Sequence, residues 1–171
     1  MANDDGEFSD FVAARADRLY RQAWLLTGSR MSAEDLVQTA LTKAYAAWPR
    51  VRRADDPVAY VHGVLMKAFL SDRRRRSSGE VPVAEPDIVS SGVADPAQTH
   101  VDRLALAEAL SALSRTDRAV VVLRYWDDRT VAETATLLGL TEAAVKNRSL
   151  RALRALADHL TVIDEPRGSM R

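Results

Sequence analysis

Apolar and polar residues recur along this chain at helical spacing, and strand-like alternation is absent throughout. Residues 8–27 place Phe8, Phe11, Val12, Leu19, Ala23 and Leu26 in an amphipathic pattern that Gly28 stops. Ser32 begins the next helix, with Asp35 completing a capping arrangement. Leu36, Val37, Ala40, Leu41, Ala44, Tyr45 and Trp48 form the buried face of that helix until Pro49 ends it. Its opposite side carries Asp35, Gln38, Thr39 and Thr42, a narrow ridge of short polar groups that either faces solvent or lies flat against a partner. Pro57 opens a third helix, where its missing N–H costs nothing, and Val58, Tyr60, Val61, Val64, Leu65, Ala68 and Phe69 supply its packing surface.

The pattern breaks over residues 77–98, which hold three prolines, two glycines, several serines and no Lys or Arg. Such a composition cannot support a core, so this stretch reads as a flexible acidic linker. Helical signal resumes near His100 with Leu104, Leu106, Ala107, Leu110 and Leu113. Ser114 and Asp117 cap a further helix packed through Val120, Val121, Leu123 and Tyr125 and closed by Trp126. The expected fold is all-α, with two small helical domains, 6–76 and 99–162, on either side of the linker and a tail at 163–171.

From Asp127 to Leu160 the chain has the grammar of a helix-turn-helix. Val131, Ala132, Ala135 and Leu138 give a first short helix one buried stripe. Gly139 suits the left-handed position that closes it, and Thr141 caps the longer helix that follows. On that longer helix Val145, Leu150, Leu153, Leu156 and Leu160 are expected to face inward, and Asn147, Arg148, Arg151 and Arg154 outward. A basic face bearing Asn suits a major groove, where Arg reads guanine or holds phosphate and Asn reads adenine. Lys146 falls off the stripe and is placed to meet a phosphate.

Charge refines this picture. The formal net charge is zero, so any nucleic-acid contact must come from local basic patches. One is Arg73-Arg74-Arg75-Arg76 at the end of the third helix, read either as a solubilising helix end or as a phosphate grip. Trp48, Arg50, Arg52, Arg53 and Tyr60 lie close enough in sequence to join it, and rings beside guanidiniums suit single-stranded DNA. The absence of cysteine removes disulfides, thiolate catalysis and Cys-based zinc sites. The histidines, His62, His100 and His159, have no ligand spacing, so no metal or cofactor is expected. No apolar run approaches membrane-spanning length and the opening MANDDGEFSD is acidic, which together lead us to expect a soluble cytoplasmic protein.

Taken together, the run AEDLVQTALTKAYAAWPRVRRADDPVAYV with SDRRRR, the acidic linker, and ALSRTDRAVVVLRYWDDRTVAETATLLGLTEAAVKNRSLRALRAL closely resemble bacterial sigma factors of the extracytoplasmic-function (ECF) group, which keep only regions 2 and 4. The LLTG near the start and the VLRYWDD segment look like the actinobacterial SigE-type branch. The resemblance spans residues 8–160 and implies a transcription initiation subunit without catalysis of its own. By that resemblance, Asp35, Gln38, Thr39 and Thr42 dock on the β′ clamp helices of core RNA polymerase. Trp48, Arg50, Arg52, Arg53 and Tyr60 capture and hold the melted −10 strand, with Lys67 and Arg73 to Arg76 on nearby DNA. Thr141, Lys146, Asn147, Arg148, Arg151 and Arg154 serve the −35 element, and the segment around Arg124 to Trp126 meets the β flap. The implied partners are core polymerase, promoter DNA and an anti-sigma factor, with one copy of the chain per holoenzyme. Many ECF members carry Asn where this chain has Lys67, and Asp where it has Ser71, so its −10 specificity is expected to be unusual. The rival readings are a helix-turn-helix regulator that never joins polymerase, which would usually bind a palindrome as a dimer, and a nuclease. For the latter the carboxylates lack metal-site clustering and no nucleophile–base pair stands out.

Overall fold

Eight α-helices and one π-helical turn make up the described part of this computed structural model, residues 2–71 and 96–164. No strand occurs among the described residues. The all-α expectation therefore holds. Residues 72–95 lie outside the description, and with them Arg73 to Arg76 and nearly all of the expected linker.

Helix α1 (Ala2–Thr27) ends at Gly28, whose φ of 70° only glycine adopts freely. Helix α2 (Arg30–Ala46) follows at once, with Ser29 rather than Ser32 as its cap: the Ser29 side chain accepts from the Ser32 N–H. The extended backbone of Ser29 directly after the turn takes the capping role three residues sooner than the sequence pattern indicated. Pro49 does not end α2. It lies inside a separate short helix, α3 (Trp48–Val51), at a first-turn position where proline is tolerated. Helix α4 (Pro57–Ser71) starts where expected, its first turn secured by Asp56 Oδ1 accepting from the Ala59 N–H at 2.9 Å.

Helix α5 (Pro96–Ser111) begins inside the segment read as linker. Helix α6 (Arg115–Val121) is capped by Ser114, which accepts from the Asp117 N–H at 3.1 Å, and passes into the π-helical turn Val122–Trp126. Helices α7 (Val131–Leu138) and α8 (Glu142–Asp164) complete the fold.

Helices α1 to α4 bury a core of Leu19, Leu26, Val61, Leu65, Met66 and Phe69. Ala119, Val122 and Leu123, from the second set of helices, belong to the same cluster. The two helical units therefore pack directly on each other. Two arginines of α6 secure the junction. Arg118 donates to Leu26 O at 2.7 Å and to Ser111 O at 2.9 Å, satisfying carbonyls at the C-terminal ends of α1 and α5. Arg115 donates to Phe69 O and lies 4.1 Å from the centroid of the Phe69 ring. A third polar contact gathers on Asp127, whose side chain is only 2% exposed: Arg18 of α1, His62 of α4 and Arg129 approach it at 3.3, 3.4 and 3.2 Å.

Candidate nucleic-acid interface

The helix-turn-helix is set by three local devices. Thr130 Oγ1 accepts from the Glu133 N–H at 3.1 Å while Glu133 returns the favour to the Thr130 N–H at 2.7 Å. The backbone and side-chain hydrogen bonds from Thr130 hold the Glu133 carboxyl below its ordinary value. Gly139 closes α7 at φ 64°, and Leu140 N–H reaches back to Ala135 O at 2.9 Å. Thr141 then caps α8, its hydroxyl accepting from the Ala144 N–H at 3.1 Å. Thr134, unmarked in the apolar pattern, is buried in α7 while Ala132 is exposed.

Helix α8 is rotated from the orientation its leucines suggested. The buried positions are Val145, Ser149, Ala152 and Leu156, spaced four, three and four residues apart. Leu150, Leu153 and Leu160 are 52%, 38% and 39% exposed, so they do not form the inward face with Val145 and Leu156. The cause is close packing. Ser149 and Ala152 are small enough to bring α8 against its neighbours, Ala152 beside Ala109, Leu110, Leu113 and Val121. Val145 clusters with Val120 and Ala135.

The rotation is also held by charge. Asp117 of α6 is 7% exposed and takes Arg148 on Oδ1 at 2.7 Å and Arg151 on both oxygens at 3.0 Å. Burial works against the charge of Asp117, but hydrogen bonds from Arg148, Ser114 and Arg151 outweigh it and keep the carboxyl below its usual value. Arg148 is consequently half-buried and turned toward the protein, whereas the Arg151 side chain remains 65% exposed. Lys146, Asn147, Leu150, Arg151, Leu153, Arg154 and Ala155 are the exposed residues over this part of the helix.

On the first unit, Asp35, Gln38, Thr39 and Thr42 are all exposed along α2, with Thr42 Oγ1 donating to Gln38 O at 2.8 Å. Trp48 follows its apolar spacing and departs from the base-holding role that the resemblance implied. It is buried, 5% exposed, with its ring 5.1 Å from Phe8 and 5.3 Å from Phe11, so no face is open for a base to stack on. An indole beside two phenyl rings gains more from the core than from water. Arg50 and Arg53 are exposed, and Arg52 pairs with Asp4 at 3.2 Å and Glu7 at 3.4 Å from α1. Tyr60 is half-buried and Lys67 exposed.

Two acidic residues escaped the sequence reading. Asp117 was legible only as part of a cap, and Asp127 only as the first residue of the helix-turn-helix stretch. Nothing in linear spacing links Asp117 to arginines 31 and 34 residues away, or Asp127 to Arg18, 109 residues away.

An all-helical first unit with a polar ridge, followed by a helix-turn-helix with an exposed basic helix, defines a class: a two-part transcription factor whose second part presents a groove-reading helix. Comparison with known proteins specifies the class further. Residues 11–79 match the Sigma-70 region 2 family and residues 103–156 the Sigma-70, region 4 family. The RNA polymerase sigma-E factor of Streptomyces coelicolor is 34% identical over 92% of this chain and 88% of its own length. The ECF RNA polymerase sigma factor SigL of Mycobacterium tuberculosis is 32% identical over 81% of this chain and 80% of its own. Among solved structures, the sigma factor RpoE of Bartonella quintana, in complex with the anti-sigma factor NepR, aligns with a TM-score of 0.74 at 24% identity, covering 91% of this chain and 98% of that one.

The chain belongs to the ECF sigma factors, and its fold is the sigma region 2 and region 4 pair. It is a transcription initiation factor that directs RNA polymerase to promoters, a role the family performs without catalysis. No described helix is long and apolar enough to cross a membrane.

Proposed function

We propose that residues 6–76 act as sigma region 2 and residues 99–162 as sigma region 4, with α8 in the major groove of the −35 element. The exposed face of Lys146, Asn147, Arg151 and Arg154 carries this reading. Arg148 serves it indirectly, by fixing the pitch of α8 through Asp117. On region 2, the exposed ridge Asp35, Gln38, Thr39 and Thr42 supports docking on the polymerase clamp. Arg50, Arg53, Tyr60 and Lys67 are open to −10 DNA, and Arg52 joins them by exchanging Asp4 and Glu7 for phosphate, while Trp48 shapes that surface from below. The chain acts in the cytoplasm as a single copy within holoenzyme, takes no cofactor and performs no chemistry itself. An anti-sigma factor is part of this reading.

Run-off transcription by purified core polymerase on pooled genomic fragments, with and without the protein, tests the reading. Discrete start sites that depend on the protein are expected. Their absence, together with no binding to core in a pull-down, would favour a regulator that never joins polymerase.

A further inference from the structure

Leu150 occupies an unexpected place. It is 52% exposed, and its helical neighbours on the outer face are Lys146 one turn before, Asn147 three residues before, Arg151 next to it and Arg154 one turn after. An exposed leucine on an ordinary surface means little, and Leu153, also exposed, lies at the edge of the buried side. Leu150 sits in the middle of the polar, cationic face. The buried side of the same helix is meanwhile filled by Ser149 and Ala152, smaller residues than the leucine left outside.

The two arginines nearest the helix start are also partly committed. Arg148 gives its donor to Asp117 and is half-buried, and one end of the Arg151 guanidinium is tied to both Asp117 oxygens. Direct contact with base edges from the first turns of α8 is open to Asn147, Leu150 and the end of Arg151 not tied to Asp117, with Lys146 and Arg154 flanking them toward the phosphates.

A leucine offers no hydrogen bond, so the feature it reads must be apolar. In the major groove that feature is the C5-methyl of thymine, and the flanking cations match the charge of the duplex around it. We infer that Leu150 is a specificity-determining residue that packs on a thymine methyl of the −35 element. The inference rests on the groove-reading role proposed for α8. The helix advances about 4.5 Å between Asn147 and Leu150, which puts this thymine within about two base pairs of the base that Asn147 contacts.

The test uses the full chain in holoenzyme with core polymerase. An upstream element is first selected from randomised duplexes. Each thymine of that element is then replaced singly by deoxyuridine, which removes only the methyl. For the wild-type protein one replacement should weaken binding about threefold, the worth of roughly one buried methyl. Leu150→Ala should bind the thymine duplex about threefold more weakly and be indifferent to uridine at that position, whereas Leu150→Met should retain the preference. Because the side chain is half exposed and alanine favours helix, Leu150→Ala is expected to fold as the parent does. The inference is overturned if no single uridine affects the wild type, or if Leu150→Ala responds to uridine as the wild type does. Failure of the wild-type holoenzyme to select any upstream element overturns the groove-reading role itself.

Discussion

Asp127 offers the most direct perturbation of the packing between the two units. Its carboxylate is 2% exposed and is approached by Arg18, Arg129 and His62. In Asp127→Asn the shape stays and the charge goes. Breaking a buried ion pair from one side costs about 3–5 kcal/mol when the remaining charge is fully stranded. That figure must be reduced here. Arg18 is 53% exposed and solvated, and Arg129 keeps Asp56 at 3.8 Å and Glu133 at 3.7 Å as substitutes. The contacts of Asp127 across the junction are those with Arg18 and His62, together worth about 1–2 kcal/mol, a factor of about ten in the population of the packed form. Scattering and urea denaturation followed by tryptophan fluorescence read the two consequences. The variant should show a larger radius of gyration, and its unfolding should separate into two transitions once the units no longer melt together. A companion Arg18→Gln variant should cost less than about 1 kcal/mol, because that side chain is half in water. If Asp127→Asn keeps the parent's radius and a single transition within about 0.5 kcal/mol, the carboxylate does not hold the units together and this reasoning fails.

Other outcomes follow from the same structure. Burial first, with Arg18 and Arg129 adding to it, holds His62 below its usual value despite Asp127 and Asp56. A folded-state value lower than the unfolded one means stability is complete above about pH 6.5 and falls as the pH drops below it, by at most about 1.4 kcal/mol per pH unit. Urea midpoints at pH 7.5 and 5.5 should therefore differ, and His62→Gln should lack that part of the difference. Gly63 faces Leu137 of α7, 3.0 Å from where a Cβ would stand, so Gly63→Leu should drive α4 and α7 apart and enlarge the radius of gyration while helicity by circular dichroism persists. Gly139→Ala places a Cβ in the left-handed region and should lower stability by about 1–2 kcal/mol in thermal unfolding. Asp117→Ala should weaken −35 binding in a duplex titration, since Arg148 and Arg151 lose the carboxylate that orients them, and cost about 1–3 kcal/mol in unfolding. Unchanged binding would show that α8 holds its pitch by apolar packing alone.

Helical periodicity by itself determined the all-α class, the start of α4 at Pro57, the Ser114 cap and the turn at Gly139, because each depends on residues within a few positions of one another. The exposed ridge on α2 was legible for the same reason: its polar residues recur on one helical face. Tertiary structure decided what depended on distance. Leucine spacing alone could not orient α8, since the inward face was settled by the close fit of Ser149 and Ala152 and by an aspartate on α6. The spacing of Trp48 already put it on the buried face of its helix, but that Phe8 and Phe11 cover its ring and leave none of it for a base was a tertiary result. The packing of one unit on the other was equally hidden. Arg115, Arg118 and Asp127 each work through partners dozens of residues away, and burial turns ordinary surface charges into the contacts that hold the two units together.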